Sequence, residues 1–124
     1  MTRESEVVVR PPNSVLILGD PTGTPPAALG GGVIAAASTC LAVGTRAEHD
    51  GATRVRLLPI GAAPTTNSTL VYEGRLDLPS HQFTVSSVFN DILLSREVKT
   101  DDIGVQLWVN DLDEPDEIAV VLDA

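Results

Sequence analysis

Aromatic side chains, lysine, histidine and cysteine are all scarce in this chain. Its aromatics are Phe83, Phe89, Tyr72 and Trp108, its single lysine is Lys99 and its single cysteine is Cys40. Each shortage removes a class of function. With few aromatic platforms and few cations, the chain has little with which to stack bases or neutralise phosphates, so direct nucleic-acid binding is not expected. A net charge of −9 over 124 residues argues the same way. One cysteine cannot close an internal disulfide, and Cys40 lies in an apolar stretch where a small buried thiol in a reducing compartment is the simplest reading. Two separated histidines, His49 and His81, give no paired spacing for zinc. Both fall beside turn residues and read as solvated, which leaves no nucleophile–base pair to catalyse a reaction. The expectation is a non-enzyme with no catalytic residues, no cofactor and no metal.

Targeting signals are equally thin. The first residues put acids where a signal peptide needs basic ones, and the runs Val7 to Val9 and Val15 to Leu18 are too short for an apolar core of such a peptide, so a cytoplasmic location is expected. No charge occurs between Asp20 and Arg46, but Pro21, Pro25, Pro26 and Gly30-Gly31-Gly32 interrupt the stretch, and its remainder is mostly Ala, Ser and Thr. No membrane span is expected there. The triple glycine is followed by no Gly-Lys-Ser/Thr, so it reads as a flexible lead into a strand and not a phosphate loop. Asn67-Ser68-Thr69 matches a glycosylation sequon that has no meaning without secretion.

What remains is a chain rich in Val, Leu, Ile and Ala, cut at short intervals by Pro and Gly, the pattern of a sandwich and not of a bundle. Strands are expected at Glu6 to Arg10, Ser14 to Leu18, Val33 to Thr45, Ala52 to Ile60, Thr69 to Leu78, Gln82 to Val88, Asp91 to Val98, Ile103 to Val109 and Glu117 to Leu122. The third and fourth are expected to pair as a hairpin around His49-Asp50-Gly51. Period-two alternation assigns Leu70, Tyr72, Leu76, Leu78, Phe83, Val85, Ile92, Leu94, Val98, Val105 and Leu107 to the inward face. The predicted fold is all-β: one domain spanning residues 1–124, an antiparallel β-sandwich of eight or nine short strands, jelly-roll or C2-like. Residues 1–13 and 19–32 are read as a proline- and glycine-rich arm and loop.

The charge is placed unevenly. Residues 1–90 carry seven acids and six bases, whereas residues 91–124 carry ten acids against Arg96 and Lys99. Within that third, Asn110 to Glu117 puts six carboxylate or amide groups into eight residues between two strands. Such oxygens invite calcium, but the run lacks the glycine of the helix-loop-helix calcium pattern and the helices around it, so a solvated acidic loop is the preferred reading. A one-signed field speeds encounter with a basic partner. The candidate partner-binding residues are therefore Asp111, Asp113, Glu114, Asp116 and Glu117. Asp101 and Asp102 lie at the opposite end of the intervening strand and compete for the role.

From the His49-Asp50-Gly51 turn onward, with Thr53 to Leu58, Val71 to Pro79, Phe83 to Val85 and the late strand Val105 to Val109, the order of features resembles the competence protein J family and related uncharacterised small bacterial β proteins. Members of that family are bacterial inhibitors of a nuclease that acts on incoming DNA. The resemblance covers roughly the last 75 residues, is one of pattern, and carries over no functional residue. It implies a non-enzymatic, acidic inhibitor or immunity-type regulatory protein docking on a basic protein, since an acidic face can occupy a basic nuclease groove. The alternative is a structural subunit such as a phage virion decoration or head-tail accessory protein, contacting neighbouring subunits through its proline-rich segments. In that case the location is the virion. Homo-oligomerisation is left open by either reading.

Overall fold

The computed structural model describes residues 5–26, 34–62 and 68–123. The Gly30-Gly31-Gly32 run, Pro64, Asn67 and the first four residues lie outside them. Two five-stranded sheets face each other. Sheet A runs β1 (Ser5–Val9), β5 (Thr53–Pro59), β10 (Glu117–Asp123), β9 (Asp102–Val109), β6 (Thr69–Asp77), and sheet B runs β3 (Ile34–Ala36), β4 (Cys40–Gly44), β2 (Val15–Gly19), β7 (Gln82–Ser87), β8 (Ile92–Glu97). The expected all-β sandwich is the fold. The described strands number ten because the single strand expected over Val33 to Thr45 is instead two, β3 and β4, an antiparallel pair of their own. Residues 5–9, read both as a strand and as part of an arm, form β1 paired with β5.

Alternation builds the core. In β9, Ile103, Val105, Leu107 and Val109 all point between the sheets and are buried, while Gly104, Gln106 and Trp108 face outward. Strand β10 is buried on both faces: Ile118, Val120 and Leu122 enter the inter-sheet core, and Ala119 and Val121 join Leu58 beneath Trp108 and Ala62. An apolar run without polar alternation belongs in the centre of a sheet. There β10 lies antiparallel to β9 and parallel to β5, the one parallel pairing among the described strands.

Three expectations fail. The hairpin of residues 33–45 with 52–60 does not exist, because β4 pairs with β2 and β3 in sheet B whereas β5 belongs to sheet A. Residues 45–52 cross between the sheets: the Thr45 amide donates to the Ser14 carbonyl at 2.8 Å, and the next amide, of Arg46, donates to the Pro115 carbonyl at 2.9 Å. Leu70 and Ile92 were assigned inward, yet they are 38% and 58% exposed. Each lies beyond a β-bulge, in β6 between Leu70 and Tyr72 and in β8 opposite the Val85/Ser86 step. One extra residue in one strand reverses the parity of everything past it. The bulge residues Val71 and Leu93 pack on the core instead. The other expected core residues hold: Leu76, Leu78, Phe83, Val85, Val98, Val105 and Leu107 are buried, with Tyr72 and Leu94 partly buried against them.

Among the described residues, no helix is long and apolar enough to cross a membrane.

Candidate functional site

The loop between β9 and β10 is a built structure. Asn110 closes its base: the amide nitrogen Nδ2 donates to Asp116 Oδ1 at 2.6 Å, and Oδ1 accepts from the Asp116 and Glu117 amides at 3.1 Å each. Asp111 caps the tip, its Oδ1 accepting from the Asp113 and Glu114 amides at 2.8 and 2.9 Å. Those bonds, from Glu114 first and then Asp113, hold the Asp111 carboxyl below the usual carboxylate range. Pro115 is buried.

Two arginines from elsewhere in the chain clamp the loop. Arg46 Nη1 meets Asp116 Oδ2 at 3.1 Å, and Arg54 lies 4.0 Å from Glu117 and 3.7 Å from Glu6. The Arg54 amide also donates to the Asp116 carbonyl at 2.8 Å. Gly51 makes room for this clamp. A Cβ on Gly51 would lie 3.1 Å from the Arg46 guanidinium, and its φ of +143° is one that side chains disfavour. Of the five candidate residues, therefore, the structure divides the set: Asp116 and Glu117 face internal cations, whereas Asp111, Asp113 and Glu114 are exposed. Leu112, between them, is 59% exposed. Arg46 and Arg54 were not read as part of the site from the sequence; they lie far from the loop along the chain, and only the sheet crossing brings them there.

The competing acids lie at the other end of β9, as the strand length requires. Asp102 accepts two hydrogen bonds from Arg75, at 3.0 and 3.1 Å, and Asp101 Oδ1 is 2.6 Å from His81 Nε2. These acids have side-chain partners, whereas among the described residues no side-chain hydrogen bond or ion pair engages the carboxylates of Asp113 and Glu114 in the Asn110 to Glu117 loop.

The reactive side chains do not converge. His49 is exposed beside Asp50, and Ser80 gives its hydroxyl to Asp20 at 2.9 Å and not to an imidazole. Cys40 is buried, and burial pushes its thiol up, away from the reactive thiolate. Among the described residues, no three of His, Cys, Asp and Glu are grouped to hold a metal ion. On the outer face of sheet B lies a groove of about 320 Å³, floored by Val15, Ile17 and Ala42 and walled by Pro21, Pro25 and Pro26.

No protein-family model matches the chain, and no curated protein matches it in sequence. Solved structures do match in fold. One is ComJ from Bacillus subtilis, described as an inhibitor of the DNA degrading activity of NucA, which aligns over 100% of this chain and 98% of its own with a TM-score of 0.62 at 10% identity. Another, described as crocagin biosynthetic gene J, aligns over 99% and 96% with a TM-score of 0.56 at 14% identity. The resemblance of pattern to the competence protein J family is thus a likeness of architecture over the whole chain, including the first 32 residues, which the pattern left unmatched.

Proposed function

We propose that this chain is a non-enzymatic inhibitor that binds a basic protein, a DNA-degrading nuclease, through the exposed tip of the loop between β9 and β10. The observation that carries this reading is the end-to-end likeness of fold to ComJ, whose described role is inhibition of such a nuclease. The loop supports it physically. Its backbone is fixed by the Asn110 and Asp111 side chains and by Pro115, so little ordering entropy is lost on docking. Asp113 and Glu114 project from it into solvent, where they steer a cationic surface and not an anionic one.

The test is a DNA-degradation assay with the NucA-type nuclease of the same cell, titrated with the purified chain. Protection near one-to-one stoichiometry is expected. Exposed rim charges act mainly on association rate, so Asp113→Asn with Glu114→Gln is expected to slow binding several-fold at low salt, an effect that shrinks toward physiological ionic strength as the Debye length falls to about 8 Å. An association rate indifferent to both salt and these substitutions would reduce the acidity to a solubilising feature and move the structural-subunit reading ahead.

A further inference from the structure

We propose that the chain forms a homodimer through the free edge of β6, with the β6 strands of two copies antiparallel about a twofold axis at Gly74. Strand β6 is the longest of the described strands, nine residues, and among those strands it is hydrogen-bonded to β9 alone, on one flank. On its other flank the described backbone bond is that from the Asp77 amide to the Ser38 carbonyl, at the strand's last residue. The remaining edges are shorter or guarded. β3 has three residues, and β1 and β8 lie against each other across the sandwich, where Arg96 Nη2 reaches Ser5 Oγ at 3.4 Å. A long strand with unpaired amides and carbonyls is a template for another strand.

Charge selects the occupant and the register. Glu73 and Arg75 both point to the outer face, two residues apart, with Gly74 between them. In an isologous pair, residues directly opposite share a face, so the axis falls on a residue. An axis at Glu73 sets Glu73 against itself; an axis at Arg75 sets Arg75 against itself and Glu73 against Asp77. An axis at Gly74 sets Glu73 of each copy against Arg75 of the other, twice. Opposite charges facing one another across strands stabilise and like charges oppose pairing. The Glu73–Arg75 contacts displace no existing bond, and the pairing spans Tyr72 to Leu76, since the Ser38 carbonyl occupies the flank at Asp77. Glu73 already accepts from Gln106 at 2.7 Å, and Arg75 already donates to Asp102, so each new pair extends an existing row across the axis. On the core-facing side the same register puts Tyr72 opposite Leu76. Tyr72 lies over Gly74 there, its hydroxyl 2.7 Å from where a Cβ on Gly74 would be. The axis is roughly 17 Å from the start of the acidic loop, five residues at about 3.3 Å each. The dimer and the proposed nuclease site are therefore independent, and the test below needs no partner.

Sedimentation equilibrium at about 100 µM protein and 0.15 M ionic strength reads the association directly. The expected mass is twice that of the 13.0 kDa chain. Arg75→Glu sets four carboxylates around the axis and Glu73→Arg sets four guanidiniums there, so each variant alone is expected to be monomeric. Mixing the two variants is expected to give a heterodimer, because every facing pair is then again of opposite sign, and the double variant Glu73→Arg with Arg75→Glu is expected to dimerise as the unmodified chain does. Circular dichroism melts of each single variant check that the sandwich is intact. A monomeric unmodified chain, a dimer that survives both single variants, or single variants that stay monomeric when mixed would each overturn the proposal.

Discussion

Truncating Leu76 or Leu107 to alanine is expected to cost about 2–5 kcal/mol of stability, whereas Leu70→Ala costs less than about 1 kcal/mol. All three are leucines in neighbouring strands of one sheet, and they were alike in the alternation of the sequence. Leu76 and Leu107 are 0% exposed between the sheets and Leu70 is 38% exposed outside them. A buried leucine loses both its transfer free energy and the packing of the cavity left behind, out of a total stability that for a domain is roughly 5–15 kcal/mol. Denaturant midpoints of the three variants measure the contrast. Equal shifts for Leu70→Ala and Leu76→Ala would remove the bulge at Val71 and restore unbroken alternation.

Asp20→Ala is expected to cost on the order of 3 kcal/mol, an effect comparable to a core truncation from a single polar residue. Asp20 is 3% exposed. Its Oδ1 accepts from the Thr22 amide and hydroxyl at 2.7 and 2.6 Å, and its Oδ2 from the Ser80 amide and hydroxyl at 2.8 and 2.9 Å. One carboxylate thus ties the segment after β2 to the turn between β6 and β7. Burial would raise its pKa, but the four hydrogen bonds, from the Thr22 hydroxyl, the Ser80 and Thr22 amides and the Ser80 hydroxyl, together outweigh burial and hold it below the usual carboxylate range. A group whose folded pKa is depressed stabilises above its unfolded value of about 3.9, and that contribution is lost as pH falls through the folded value. Asp20→Asn is accordingly expected to be destabilised at neutral pH, with the gap to the unmodified protein closing in acid. Urea titrations across the acid range check this. A gap that stays constant as pH falls would show that the carboxylate's charge has no part in the linkage.

The sandwich was legible because alternation is a local property, and it failed where a local rule was carried past a break. Up to Val71 in β6 and Leu93 in β8 the inward residues were assigned correctly counting from the other end of the strand; the bulges are invisible to a count of two. The false hairpin had a warning in it. Eight residues separate Gly44 from Thr53, more than tight hairpin turns use, and a connection of that length allows a change of sheet. The acidic loop was legible as charge, since Asp111 to Glu117 are contiguous. Its division was not. Which carboxylates are neutralised depends on Arg46 and Arg54, which reach the loop only through the crossing at residues 45–52 and the parallel register that sets Glu117 beside Arg54. Long-range pairing of that kind leaves no periodic trace.

The central place of β10 has a consequence for the chain as it leaves the ribosome. Strand β10 is the last of the described strands to be synthesised, yet it is the middle of its sheet, joining β5 on one side to β9 on the other. Until residues 117–123 have emerged, sheet A exists at most as two unconnected pairs, β1 with β5 and β6 with β9, each showing an open edge and the apolar face that carries Val55 and Leu57 or Val105 and Leu107. Closing it demands pairing between segments far apart in the chain, which is slow and leaves sticky surface exposed while it waits. Nascent chains arrested before Glu117 are thus expected to be captured by chaperones or degraded, and completion of β10 is the step that turns two fragments into one cooperative sandwich.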